Sequence, residues 1–124
     1  MVPTGVNSTT GIAGLCVVGG MGWLSRLYGM TVDRLLSATV VTATGETLKA
    51  SPNKNPDLFW ALRGGGGNFG ICTCLEFQLL PIPTAVTAGL VFYPAKDAKA
   101  AIQEYMKLHP TCPNELTVWP IVMN

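Results

Sequence analysis

The sequence predicts an α+β fold, with strands and short helices following one another along a chain of 124 residues. Three patterns carry this prediction. A β-branched stretch over residues 36–43 is typical of a strand, and residues 69–79 alternate with a period of two. Residues 97–108 place their apolar side chains at helical spacing. The length allows one domain at most, or a part of one.

The first third of the chain is rich in glycine, and the glycines are interspersed with apolar residues. This mixture indicates backbone that packs closely against something rather than a flexible linker. Residues 23–28 predict a turn and a half of helix that ends at Gly29. The strand over residues 36–43 is followed by a tight turn, Thr44–Glu46, and a returning strand, Thr47–Ala50. These elements predict a β-hairpin.

A helix and a long strand follow the hairpin. Asn55 is a predicted N-cap, and Pro56 occupies the first helical position, where its missing N–H costs least. The helix should end at Gly64, the first of four consecutive glycines. The alternating residues 69–79 then predict a strand of about ten residues. The sequence therefore predicts a β-rich unit up to residue 80.

A second unit should begin after residue 80. Prolines on both sides of Ile82 indicate a boundary. Beyond it, Val86–Tyr93 predicts a strand, Asp97–Leu108 a helix and Glu115–Met123 a final strand. This order is the opening β-α-β of another unit, and we expect the sequence to stop inside that unit.

Composition excludes several classes of protein. The net charge of +1 excludes a strongly basic nucleic-acid binder, and the 48% hydrophobic content excludes intrinsic disorder. Only 12% of residues are charged, about half the usual ~25%, so part of the surface should be covered by another component. The longest apolar stretch, residues 11–24, is shorter than the ~20 residues needed to cross a bilayer. With no secretory signal, we expect a cytoplasmic protein without a membrane partner.

The four cysteines lack the spacing of a zinc site: Cys16, Cys72, Cys74 and Cys112. We interpret them as apolar filler in a reducing compartment, with disulfides or ligands as the alternative. No metal is expected. His109 ends a helix, where capping or surface roles are most common, and no pair of carboxylates has a telling spacing. Catalytic residues stay unassigned, so a bound cofactor would carry the chemistry of any enzyme.

Two glycine segments are candidates for function. Residues 8–14, leading into residues 19–22, are either tight turns between short strands or a cofactor cradle. In such a cradle, glycine lets the backbone approach a pyrophosphate or a flat ring. Residues 62–70 contain four glycines between a helix and a strand, more than a turn requires. Close approach to a ligand or to another backbone is the favoured explanation. The first segment matches neither the phosphate-binding loop nor the dinucleotide fingerprint.

Two long motifs resemble the FAD-linked oxidases. Residues 19–29 (GGMGWLSRLYG) with 33–38 (DRLLSA), and residues 57–71 (DLFWALRGGGGNFGI), are similar to hallmarks of one family. This is the berberine-bridge-enzyme-like branch of the vanillyl-alcohol oxidase superfamily, which has a PCMH-type FAD-binding domain. The resemblance runs from about Val2 to Leu80. It implies that residues 1–80 are the second subdomain of that FAD domain and that residues 81–124 begin a truncated substrate domain.

The resemblance also implies a cofactor and a reaction. The enzyme would transfer a hydride from a C–H bond of an unidentified small-molecule substrate to FAD, with oxygen as the acceptor. Carried over by position, the FAD contacts are Thr10, Gly11, Gly14, Val17, Gly20, Met21, Gly22 and Cys72. Asn7 stands where many members have a cysteine bonded to the flavin, so we expect no bicovalent attachment.

Two hypotheses follow, because the family's first subdomain and most of its substrate domain have no counterpart in this sequence. In the first, the chain is a fragment of an FAD-dependent oxidoreductase and is inactive alone. In the alternative, it is a non-enzymatic, freestanding chain. That chain would cover its apolar face by self-association or by pairing with a partner such as the missing N-terminal subdomain.

Overall fold

A computed structural model describes residues 1–81 and 83–123. The chain divides into two compact units, Met1–Ile82 and Pro83–Asn124. The domain boundary predicted between residues 80 and 81 stays a prediction, and Ile82 lies outside the described residues. The interpretation of the second unit as the start of a substrate domain stays a prediction.

A three-stranded antiparallel sheet forms the centre of the first unit, in the order β2-β1-β3. Its strands are Leu35–Val41 (β1), Thr47–Ala50 (β2) and Ile71–Phe77 (β3). The predicted hairpin is confirmed, with Ala38 of β1 paired with Ala50 of β2. The Thr42 N–H donates to the Glu46 carbonyl at 2.9 Å, and Gly45 turns the chain with φ +82°. That backbone conformation favours glycine because a Cβ would be strained there.

The helices of the described residues are short, and the only one longer than seven residues lies in the second unit. They are Ile12–Val17 (α1), Ser25–Tyr28 (α2), Pro56–Leu62 (α3) and Ala98–Leu108 (α4). The helix ending at Gly29 and the helix beginning at Pro56 are confirmed. Asn55 precedes α3 as expected, but its side chain makes no cap. It adopts φ +50°, and its amide donates to the Lys49 carbonyl at 2.9 Å.

Two elements of the first unit differ from the prediction. Residues 12–17 form α1, so the interpretation as turns between short strands is wrong there. Gly14 has a low helix propensity, which weakens the signal for this helix in the sequence. Strand β3 has seven residues rather than about ten, because residues 66–69 form a 3-10 turn before it and the strand ends at Phe77. Gly70 then crosses β1 so closely that a Cβ would lie 2.5 Å from the Val41 carbonyl oxygen.

The core of the first unit lies where α1 and α3 meet the sheet. Its buried residues form one cluster: Cys16, Val32, Leu35, Ala38, Val40, Ala50, Phe59 and Leu62. Ala38 and Val40 share one face of β1, since side chains alternate along a strand. Phe59 and Leu62 lie on one face of α3, as helical spacing requires. Sheet and helices are thereby held in a fixed arrangement next to the first glycine segment.

The second unit contains the predicted helix without the predicted strands. Helix α4 begins one residue after the expected start, and the Tyr105 hydroxyl donates to the Val118 carbonyl at 3.3 Å. Residues 86–93 and 115–123 form no strand. β-branched and aromatic residues favour a strand only where a neighbouring strand accepts their backbone hydrogen bonds. The described part of this unit supplies no such neighbour. Val91 and Phe92 are 77% and 70% exposed.

Candidate functional site

A groove of about 270 Å³ lies between α1 and β3 in the first unit. It is lined by Ile12, Ala13, Cys72, Thr73, Cys74, Leu75 and Phe77. None of these side chains carries a charge at neutral pH, and most are apolar. The groove therefore suits a flat, largely uncharged ring better than a phosphate, which would need hydrogen-bond donors or cations.

The structure brings two separate predictions together at this groove. Cys72 lines it from β3, and the first turn of α1, which follows Thr10 and Gly11, borders it from the other side. Thr10, Gly11 and Gly14 are all exposed. Ile12 and Ala13 also line the groove and were not predicted to, because their position there depends on α1, which the sequence did not predict. Helical spacing over residues 12–17 was the available signal.

Gly11 and Gly14 have no packing reason to be glycine. A Cβ added at either position would meet no other atom within 4 Å. The first N–H groups of a helix have no acceptor within that helix, and no side chain caps α1. These two positions thus combine open space with backbone donors, which is the arrangement that a cofactor backbone contact requires.

Gly20 and Gly22 are explained by folding alone. Both are buried, and Gly20 adopts φ +81° against the Thr31 side chain. A Cβ at Gly22 would overlap the carbonyl oxygen of Thr4. The structure therefore requires glycine at both positions whether or not a cofactor binds. Their predicted contact with FAD stays a prediction.

Val17 and Met21 complete the predicted set in opposite environments. Val17 is 8% exposed, and its carbonyl accepts a hydrogen bond from the Gly64 N–H at 3.0 Å. Met21 is 63% exposed and available to another molecule. The predicted contacts thus include Cys72 in the groove, exposed residues at the start of α1, and buried residues that shape the segment after it.

The second glycine segment approaches the chain's own backbone. A Cβ at Gly65 would overlap the Ala61 carbonyl oxygen, and Gly64 and Gly66 adopt φ +128° and +71°. Gly67 alone of the four has open space and no positive φ. Arg63 lies over the Phe59 ring at 5.7 Å and pairs with Asp33. Close backbone approach, one of the two predicted explanations, therefore accounts for Gly65.

All four cysteines are free, and they differ in environment. Cys16 is fully buried, and burial raises the pKa of its thiol to about 11; the nearby Cys72 adds to this and Arg63 opposes it. Burial also raises the pKa of Cys72. Cys74 is exposed, so the interpretation as apolar filler is wrong there. With their raised pKa values, the Cys16 and Cys72 thiols stay protonated at neutral pH and are poor nucleophiles.

The described residues hold no group of three histidine, cysteine or acidic side chains that could bind a metal ion. Among the same residues, no helix is long and apolar enough to span a membrane. His109 lies in the second unit with its ring 5.3 Å from that of Tyr105.

Comparison with known proteins decides what this site is related to. A family model described as "FAD binding domain" matches residues 1–51. The (R)-6-hydroxynicotine oxidase of Paenarthrobacter nicotinovorans is 44% identical over 88 residues, which are 71% of this chain and 19% of that protein. The chain is a homologue of FAD-linked oxidases.

This homology extends over both units. An FAD-linked oxidoreductase of Aspergillus niger, azaL, is 36% identical over 94% of this chain and 25% of its own length. The solved xylooligosaccharide oxidase from Myceliophthora thermophila C1, in complex with xylobiose, superposes with a TM-score of 0.61. The matched region is 44% identical in sequence and comprises 62% of this chain and 16% of the xylooligosaccharide oxidase chain. This likeness confirms the predicted fold class.

The chain spans about a fifth to a quarter of the length of these curated relatives. FAD is the cofactor that the homology supports, and the apolar groove fits the flat ring of such a group. The alternative of a non-enzymatic chain is not favoured, because the relatives are named as oxidases and oxidoreductases.

Proposed function

We propose that this chain supplies part of the FAD-binding site of an oxidoreductase. The reaction is oxidation of a small molecule by hydride transfer from a C–H bond, with oxygen as the final electron acceptor. The observation that carries the proposal is the environment of Gly11 and Gly14. Both are exposed at the start of the helix whose residues Ile12 and Ala13 line the apolar groove, and both lack any packing reason to be glycine.

The chain's own residues bind and orient in this proposal. The open N–H groups at the start of α1 donate to phosphate oxygens, and the apolar groove residues exclude water from a flat ring. Bound FAD supplies the two-electron acceptor. The groove itself contributes no acid–base group, because its only ionisable side chains are the thiols of Cys72 and Cys74, and burial raises the pKa of Cys72.

The substrate is proposed only as a small organic molecule. The relatives that carry the same segment are named for hydroxynicotine and for xylooligosaccharides, which are chemically different. The described residues shared with them therefore serve the cofactor rather than substrate selection. This division of labour is expected where a cofactor carries the chemistry and another region of the protein selects the substrate.

Equilibrium dialysis of the purified chain against FAD tests the proposal. We expect weak but saturable retention of flavin absorbance by the wild-type chain. Gly14→Ala is the matched variant, because its added methyl group enters open space within the folded chain and should obstruct only the cofactor. The expected result is at least a tenfold weaker affinity, about 1.4 kcal/mol. Absence of saturable binding, or equal affinity of both proteins, would contradict the proposal.

A further inference from the structure

The last residue of α1 is bonded to the second glycine segment, although the two are far apart in sequence. The Gly64 N–H donates to the Val17 carbonyl at 3.0 Å. Carbonyls at a helix C-terminus have no partner within the helix, so this bond satisfies one of them. It also fixes the point at which the chain leaves α1 and enters the segment Val17–Gly22.

A second contact follows directly. Gly66 is buried, and its Cα faces Val18. A Cβ added at Gly66 would lie 3.5 Å from Val18 Cγ1. Gly64 and Gly66 both adopt the left-handed backbone, at φ +128° and +71°. Between them, Gly65 packs against the Ala61 carbonyl. The backbone of Gly64–Gly66 therefore reaches residues 17 and 18 in a conformation that L side chains resist.

The opposite side of the segment is held by the 3-10 turn Thr31–Arg34. The N–H groups of Thr31 and Val32 donate to the carbonyls of Gly20 and Gly19, each at 2.9 Å. An ion pair joins the two supports, since the Arg63 guanidinium lies 3.5 Å from the Asp33 carboxylate. The segment is thus held from both sides by residues that do not line the groove.

We propose that Gly64–Gly66 is a backbone clasp that positions the segment Val17–Gly22 for cofactor binding. The clasp acts through that segment and touches no cofactor itself. For what the segment does, the inference rests on the proposed function together with the predicted FAD contacts of Val17, Gly20, Met21 and Gly22, whereas the clasp itself is a property of the cofactor-free chain. Its glycines are required by backbone conformation and close packing, and Gly67, just outside the clasp, is not so constrained.

Amide hydrogen exchange in the cofactor-free full chain tests the clasp. Gly66→Ala forces an L side chain into the left-handed region, so we expect about tenfold faster exchange of the Gly19, Thr31 and Val32 amides. Amides of the β1–β3 pairs should keep their wild-type protection. Gly67→Ala is the matched control, with an expected change below about twofold because its Cβ enters open space.

A rescue variant separates conformation from the loss of a glycine. Asparagine enters the left-handed region more readily than alanine, so Gly66→Asn should restore much of the protection at Thr31 and Val32. Unchanged exchange in Gly66→Ala would overturn the clasp. General loss of protection, including the β1–β3 amides, would also overturn it, because residues 64–66 would then be part of the global fold rather than a local support.

FAD dialysis of the same variants separates the two proposals. If the clasp positions the cofactor segment, Gly66→Ala should weaken FAD retention at least tenfold while Gly67→Ala retains it. Faster local exchange without saturable FAD binding by the wild-type chain would support the clasp and contradict the proposed function. Faster local exchange with undiminished FAD affinity in Gly66→Ala would overturn the positioning role.

Discussion

Gly14 and Gly22 belong to the same glycine-rich segment and have opposite surroundings. Gly14 lies within α1 with open space above its Cα, whereas a Cβ at Gly22 would overlap the Thr4 carbonyl oxygen. Glycine in a helix interior is less favourable than alanine because it loses more backbone entropy on folding. Gly14 therefore weakens the fold slightly, while Gly22 permits two stretches of backbone to approach each other.

The two glycines should respond oppositely to the same substitution. We expect Gly14→Ala to raise the free energy of unfolding by about 0.5–1 kcal/mol. We expect Gly22→Ala to lower it by about 1–3 kcal/mol, because the backbone must move to accept the methyl group. Urea denaturation followed by circular dichroism measures both. Destabilisation of similar size in both variants would show that Gly14 is packed within the chain.

Cys16 predicts how stability depends on alkaline pH. Its pKa is raised from 9.0 to about 11 in the folded chain because the thiol is buried. Between these values the unfolded chain releases a proton that the folded chain retains, so the free energy of unfolding falls as pH rises. We expect Cys16 to make the free energy of unfolding fall by up to about 1.4 kcal/mol per pH unit in this window, with the slope fading as pH drops below 9.

Urea denaturation at pH 8, 9, 10 and 11 gives this slope. Cys16→Ala is the comparison, because it removes the thiol and leaves the other alkaline groups in place. The variant should be less stable at pH 8, owing to the cavity it creates. Its stability should nevertheless decline less steeply above pH 9. Parallel declines in the two proteins would mean that Cys16 ionises equally in both states.

At the scale of the elements, Glu76 links all three strands of the sheet. It lies on β3, accepts a hydrogen bond from the Ser37 hydroxyl of β1 at 2.6 Å and pairs with Lys49 of β2 at 3.5 Å. The Ser37 hydrogen bond and the Lys49 charge lower the pKa of this carboxyl below its ordinary value of 4.5. The ionised form of Glu76 therefore favours the folded sheet.

This link should be visible in acid. Because the folded pKa is lowered, the contribution of Glu76 is complete above pH 4.5 and is lost as pH falls through the lowered pKa. Glu76→Gln should therefore reduce the difference in urea midpoint between pH 7 and pH 3. Glu46→Gln, at the hairpin turn, makes the same charge change without this cross-strand link. If both variants reduced the difference in urea midpoint equally, the loss of stability in acid would follow from net charge and not from the cross-strand link.

At the scale of the whole molecule, much apolar surface remains uncovered. In the described part of the first unit, Trp60 is 79% exposed and Ile71 is 72% exposed. Soluble monomers rarely leave large apolar patches open. Together with the low charge fraction, these side chains indicate surface that another component would cover.

The isolated chain should consequently associate as its concentration rises. Sedimentation velocity over a concentration series should show an increasing average mass, and Trp60→Gln should shift the distribution toward the monomer by removing the most exposed tryptophan of the described residues. Glu46→Gln is the control, because it changes an exposed side chain that is already polar and should leave the mass distribution unchanged. A monomer at every concentration would show that the exposed apolar residues do not drive association.

The sequence by itself determined the features that rest on local signals. Residues 44–46 form a turn between two strand-forming runs, and the hairpin is found where it was predicted. Pro56 can begin a helix but cannot continue one, and α3 begins there as predicted. The apolar spacing of α4 also depends only on neighbouring residues. The two long motifs identified the family and the cofactor, because a long run of specific residues does not recur by chance.

The tertiary structure decided the features that depend on distant partners. Residues 86–93 have strand propensity but form no strand, since a strand requires a hydrogen-bonded neighbour. The groove exists only because α1 lies beside β3. Gly14 has open space above its Cα, Gly22 lies against the Thr4 carbonyl, and Gly66 has a positive φ, and only the folded chain shows these differences. A glycine in a sequence shows that a side chain is absent. Only the folded chain shows what occupies the space that the side chain would have filled.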